Sequence, residues 1–116
     1  MVDALSDVRA VSPQPSLRLG VTHAPYLATL TELAHFGADM LFAGHTHGGQ
    51  ICFPVVGPIV CPSRFGVRYA SGVFHAHPTV MHVSRGLSGD TLIRWNCRPE
   101  LTRLTLRSRV RPLVDD

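Results

Sequence analysis

The chain has 116 residues, 45% of them hydrophobic, which is the length of one small domain able to bury roughly two thirds of the surface it exposes when unfolded. Its net charge is +3 with a pI near 9.1, and all 11 basic residues are arginine, a balance that suits an anionic ligand without identifying one. No apolar run approaches the ~20 residues of a membrane span, and the N-terminus has neither the basic start nor the apolar core of an export signal, so the sequence reads as soluble and cytoplasmic.

Residues 1–16 carry Pro13 and Pro15 and no periodicity, and read as an extended or disordered lead-in. Residues 17–22 form a buried strand in this reading. Residues 25–36 place Leu27, Leu30, Leu33, Ala34 and Phe36 at helical spacing, with His35 on the helix face and Gly37 closing the C-terminus. Residues 39–43 are the next strand. This β-α-β unit sets His23 and His45 at the ends of two strands on one edge, outside the carboxyl ends where ligands gather in open α/β sheets. Beyond Gly49 the pattern gives short strands at 50–53, 68–75, 79–84, 91–95 and 101–107, then a tail over 108–116. The fold class is α/β, a β-α-β unit followed by short, mainly antiparallel strands.

The segment Gly44-His45-Thr46-His47-Gly48-Gly49-Gln50 follows the apolar run at 40–43. On an extended backbone side chains repeat every two residues, so both imidazoles are expected to point the same way and reach one metal centre. The glycines permit a sharp turn and a close backbone approach to a ligand. A second His-x-His, at His75 and His77, has no flanking glycines and reads as the solvated face of a hairpin turning near Pro78 and Thr79, with His82 across from it.

Cys52, Cys61 and Cys97 show no Cys-x-x-Cys pairing and leave an odd thiol in any disulfide scheme, which fits a reducing compartment and small buried hydrophobes better than a Cys52–Cys61 bridge. Arg103, Arg107, Arg109 and Arg111 alternate with Leu104, Leu106 and Val110 as on a half-buried strand, and without interleaved aromatics they do not read as a nucleic-acid surface.

The Gly44 to Gln50 segment resembles the last motif of the calcineurin-like metallophosphoesterases, in the bacterial branch carrying Gly-His-Thr-His-Gly-Gly-Gln. Residues 17–25, ending in His23, resemble the upstream strand with a further metal-binding histidine, and residues 50–54, 82–87 and 98–106 resemble the closing strands. The resemblance runs over about 17–107 and implies the C-terminal portion of an αββα sandwich domain. The family's earlier motifs, Asp-x-His, Gly-Asp-x-x-Asp and Gly-Asn-His, do not occur in these 116 residues.

The resemblance implies a hydrolase of phosphomonoesters or phosphodiesters with two divalent ions, Mn, Fe or Zn, in the complete site. His23 and His45 would ligate one ion and His47 the other, while Arg85, Gly48 and Gly49 would face the phosphate-ester substrate. Membrane or export segments ahead of the catalytic domain are compatible with the family. Asp39 lies at the wrong end of its strand to bridge two ions, and Asp90 falls in a glycine-flanked turn with no ligand partner at a usable spacing. With the carboxylate motifs missing, the chain by itself is expected to be inactive and to self-associate through an open sheet edge. Two other readings stand beside this one: a non-catalytic truncated remnant or subunit, and a three-histidine site for a single zinc with an open fourth position.

Overall fold

The computed structural model describes residues 17–62 and 66–107; the lead-in and tail expected from the sequence lie outside the described residues. Strand β1 (Leu19–Val21) runs into helix α1 (Leu27–His35) and back through β2 (Met40–Ala43). A short 3-10 turn (His47–Gly49) precedes the two-residue strands β3 (Cys52–Phe53) and β4 (Gly57–Pro58), and the hairpin β5 (Gly72–Ala76) and β6 (Thr79–Val83) completes the set.

Four strands make one sheet in the order β1-β2-β6-β5, with β1, β2 and β6 parallel and β5 antiparallel to β6. The strands after Gly49 are mainly antiparallel, as in β3–β4 and β5–β6, while β6 also pairs with β2 in parallel, Met40 opposite Val80 and Ala43 opposite Val83. Its apolar alternation lets it seat between β2 and β5, with Thr79, Met81, His82 and Val83 all buried.

The helix closes as its sequence predicts. Gly37 takes φ +78°, its N–H donates to the Ala34 carbonyl, and the Ala38 N–H donates to the Leu33 carbonyl, a two-bond left-handed cap with Leu33 and Ala38 both in the core. The core lies between α1 and one face of the sheet: Leu30, Leu33, Ala38, Leu41, Ala43, Met81 and Val83, flanked by Tyr69 and Phe74. Leu27 and Phe36, assigned to the apolar face from spacing, are exposed because they lie at the two ends of a helix only nine residues long.

Two expected strands do not form. Over 91–95 the contact is a single parallel bridge between Ile51 and Trp95, because the carbonyls of Thr91 and Ile93 are taken by the Gln50 amide. Residues 101–107 are exposed and carry no ladder among the described residues. The strand expected from residue 68 begins only at Gly72. No described helix is long and apolar enough to cross a membrane.

The core is small, so single truncations in it weigh heavily. Leu41 is 2% exposed and central to it, whereas Val21 on the edge strand is 77% exposed. Leu41→Ala should cost about 2–5 kcal/mol, and Val21→Ala less than about 0.5 kcal/mol. Urea unfolding of the two variants beside the parent chain measures the contrast.

Candidate metal centre

Three parallel strands end on one edge, and each is followed two residues later by a polar side chain: His23 after β1, His45 after β2 and Arg85 after β6. His23 Nε2 lies 3.0 Å from His45 Nδ1, with ring centroids 4.6 Å apart. The Gly44 N–H donates to the His23 carbonyl at 3.1 Å, tying the two strand exits together.

The two imidazoles of the His-x-His do not converge by strand alternation. The strand stops at Ala43, and His45 and His47 take left-handed backbone at φ +67° and +50°. Their rings stand 6.5 Å apart across a turn, and only His45 meets His23. His47 is turned the other way, with Nε2 3.4 Å from Asp90 Oδ1. Asp90, excluded from spacing alone, is therefore a neighbour of the site: the long loop after β6 returns it to a place no local periodicity encodes.

What holds that loop is Gln50. Its side chain is buried, with Oε1 accepting from the backbone N–H groups of Asp90 at 2.8 Å and Thr91 at 3.4 Å. Its Nε2 donates to the carbonyls of Thr91 and Ile93 at 3.1 and 3.0 Å and lies 2.8 Å from Thr91 Oγ1. Arg94 fastens the other side, donating to the carbonyls of His47, Cys97, Arg85, Gly86 and Ser88. Thr46, fully buried, donates its hydroxyl to the Ala70 carbonyl at 2.6 Å. Thr46 and Gln50 lie inside the motif, though their long-range partners are not readable from it, while Asp90 and Arg94 lie outside it and leave no spacing signal.

The glycines serve the chain's own packing. A Cβ on Gly48 would stand 2.8 Å from Arg85 Cγ and Cys97 Sγ, and one on Gly49 2.6 Å from the Val60 carbonyl oxygen, both at positive φ. Arg85 is already engaged, its Nε 3.1 Å from Glu100 Oε2, although the N–H is not aimed as a hydrogen bond. The same carboxylate has Oε1 3.7 Å from His82 Nε2 and accepts from Thr102 Oγ1 at 2.6 Å. His75 and His77 sit at the opposite end of the sheet, at the β5–β6 turn.

All three cysteines are free. Burial pushes the Cys61 thiol up, and burial followed by the neighbouring Cys97 thiol raises Cys52, so both hold their protons and are poor soft-metal donors. Among the described residues no group of three or more His, Cys, Asp or Glu converges as a metal site requires. The donors present fit part of a coordination sphere and do not complete one.

A mixed α/β sheet with histidines gathered at its parallel edge is compatible with a fragment of a metallophosphoesterase fold, and the chain carries a metallophosphoesterase resemblance over part of its length. It is 37% identical over 89 residues, 76% of the chain, to the uncharacterized metallophosphoesterase YkuE of Bacillus subtilis (strain 168). It is 38% identical over 68 residues, 59% of the chain, to phosphodiesterase YaeI of Escherichia coli (strain K12). The matches span only 30% and 25% of those two relatives. No family model and no solved structure matches the chain.

Gly49→Ala and Gly57→Ala both place an L-residue at left-handed φ, at a cost of about 1–2 kcal/mol. Only Gly49 has backbone in the way, since nothing lies within 4 Å of a Cβ on Gly57. Gly49→Ala should therefore be the more destabilising by a further ~1–3 kcal/mol. Parallel urea titrations should reveal the difference.

Proposed function

We propose that this chain supplies the histidine side of a two-metal phosphoesterase centre, with His23 and His45 holding one divalent ion and His47 a second. The observation that carries it is the 3.0 Å approach of His23 Nε2 to His45 Nδ1 at two adjacent strand ends. The two rings share a hydrogen bond here, and an ion would take the place of the shared proton, since two donors about 2.1 Å from one ion stand about 3.0 Å apart at a right angle. Bound ions of the Mn, Fe or Zn kind would polarise phosphoryl oxygen and acidify an attacking water. The chain's own residues fix the imidazoles: the Gly44–His23 backbone bond sets the distance between strand exits, and Gln50, Thr46 and Arg94 hold the turn that carries His45 and His47.

The substrate class in this proposal is a phosphate mono- or diester, consistent with the printed names of the two relatives. The bridging carboxylate belongs to the motifs these 116 residues do not contain, so metal binding by the chain is weak and turnover requires that carboxylate half. Arg85, Gly48 and Gly49 line the substrate side of the edge in this proposal, with Arg85 beside the Glu100 carboxylate and both glycines where an added Cβ would meet protein atoms. Three unpaired thiols fit a reducing compartment such as the cytoplasm. A single zinc held by three histidines would need the imidazoles to share one point, whereas His47 faces Asp90, 6.5 Å in ring centroid from His45.

The chain alone should hydrolyse bis-p-nitrophenyl phosphate with Mn2+ no faster than the background. Placing the upstream part of the Bacillus subtilis relative ahead of Met1 should restore metal-dependent turnover. In that fusion His45→Ala and His47→Ala should each lower the rate by about 100-fold or more, and His75→Ala and His77→Ala should leave it within about twofold. A fusion active with His45→Ala would sink the proposal, as would metal-dependent turnover by the unfused chain at about 1 per second.

Self-association belongs to the same proposal. The outer edge of β1 has no strand partner among the described residues, and Leu19 and Val21 on it are exposed. Light scattering should find dimers or larger species whose fraction rises with concentration, and a monodisperse monomer at every concentration would count against it.

A further inference from the structure

Two of the three thiols meet beneath the turn that carries His47. Cys52 Sγ lies 3.4 Å and Cys97 Sγ 3.5 Å from the same Gly48 carbonyl oxygen, and the Cys97 thiol hydrogen-bonds to Cys52. Backbone holds them together. The Cys52 N–H donates to the Trp95 carbonyl at 3.0 Å, beside the parallel bridge between Ile51 and Trp95. In a continuing strand pair Cys52 would stand level with Asn96, and Cys97 would face the other way. Asn96 instead turns left-handed at φ +51° and ends the alternation. Cys97 Sγ also lies 3.4 Å from the His47 carbonyl oxygen and 3.8 Å from Arg94 Nη1. Cys61, nearer to Cys52 in sequence, is engaged elsewhere, its Sγ 3.6 Å from the Thr46 carbonyl oxygen. Exposure divides the pair, with Cys52 half-buried and Cys97 buried.

We propose that Cys52 and Cys97 are a redox-active dithiol, which a hydroperoxide converts to an intramolecular disulfide under the histidine turn. Nothing in the pairing depends on a metal at the edge. With hydrogen peroxide as oxidant, the more accessible Cys52 sulfur attacks one peroxide oxygen, the O–O bond breaks, and the hydroxide released takes the Cys52 proton to leave as water. Cys97 then attacks the sulfenic sulfur, the S–O bond breaks, and a second water leaves with the Cys97 proton. Two thiols and one peroxide give one disulfide and two waters, the sulfurs losing the two electrons that the peroxide gains. Burial and the neighbouring Cys97 thiol keep Cys52 protonated, so the first step is slow at neutral pH and quickens as pH rises. Oxidation removes both S–H groups from the Gly48 carbonyl, and a thiol reductant restores them. A reversible bond of this kind is compatible with a reducing compartment.

The full 116-residue chain is treated with hydrogen peroxide, folded and in concentrated urea, beside Cys52→Ser, Cys61→Ser and Cys97→Ser. Free thiols are then alkylated, and intact chains and their digests are weighed by mass spectrometry. The folded parent and Cys61→Ser should each lose two hydrogens and yield a Cys52–Cys97 cross-linked peptide that dithiothreitol abolishes, whereas Cys52→Ser and Cys97→Ser should yield no intramolecular disulfide over the same time. In urea the parent's preference should pass to Cys52–Cys61, which closes the shorter loop. A folded chain that links Cys61 to either partner, cross-links mainly between chains, or stops at oxygen adducts of Cys52 would overturn the dithiol. The same Cys52–Cys97 preference in urea would overturn its origin in the folded geometry.

Discussion

Left-handed backbone at His45, His47 and Gln50 is the constraint on which the histidine edge depends. Left-handed φ costs an L-residue about 1–2 kcal/mol, so three of them store several kcal/mol within six residues. Gly48 and Gly49, at φ +67° and +78°, take the two positions between where the chain also turns left-handed and where protein atoms crowd closest. Such a turn persists only if its surroundings over-determine it. Here they do, through the Thr46 hydroxyl on Ala70, the Gln50 amide on the 90–93 loop and the Arg94 guanidinium on the His47 carbonyl. Strained backbone that three buried or half-buried side chains keep in place is an arrangement common at functional sites.

The β-α-β unit was legible because its signals are local: the apolar runs, the helical spacing of Leu30 and Leu33, and Gly37 where only a left-handed cap fits. The β5–β6 hairpin was legible for the same reason. Legibility failed where a side chain overrode the backbone pattern. Residues 91–95 have strand composition, but Gln50 takes the hydrogen bonds a neighbouring strand would have taken. At the site, the expectation that His45 and His47 point the same way fails, because the strand stops at Ala43 and both residues take left-handed backbone. Alternation on a strand would have aimed both at one point, and the turn instead aims them at different partners, His23 and Asp90.

Arginine content is a poor guide to anion binding in this fold. Arg94 is spent on carbonyl oxygens, Arg85 on Glu100, and Arg18 donates to the Phe36 carbonyl near the helix C-terminus. Arg68 lies with its guanidinium carbon 5.3 Å from the centre of the Tyr69 ring. Contacts to carbonyls and to a ring leave the charge of Arg94, Arg18 and Arg68 in place, and of these four arginines Arg85 alone faces a carboxylate.

The clamps that hold the turn contain no donor of the candidate centre. Gln50, Thr46 and Arg94 bind backbone groups or one another's loops, and none of them reaches His23 Nε2 or Asp90 Oδ1. The protein thus orders the turn before any ion arrives, and an ion entering between the histidines would not have to offset the entropy of ordering the loop.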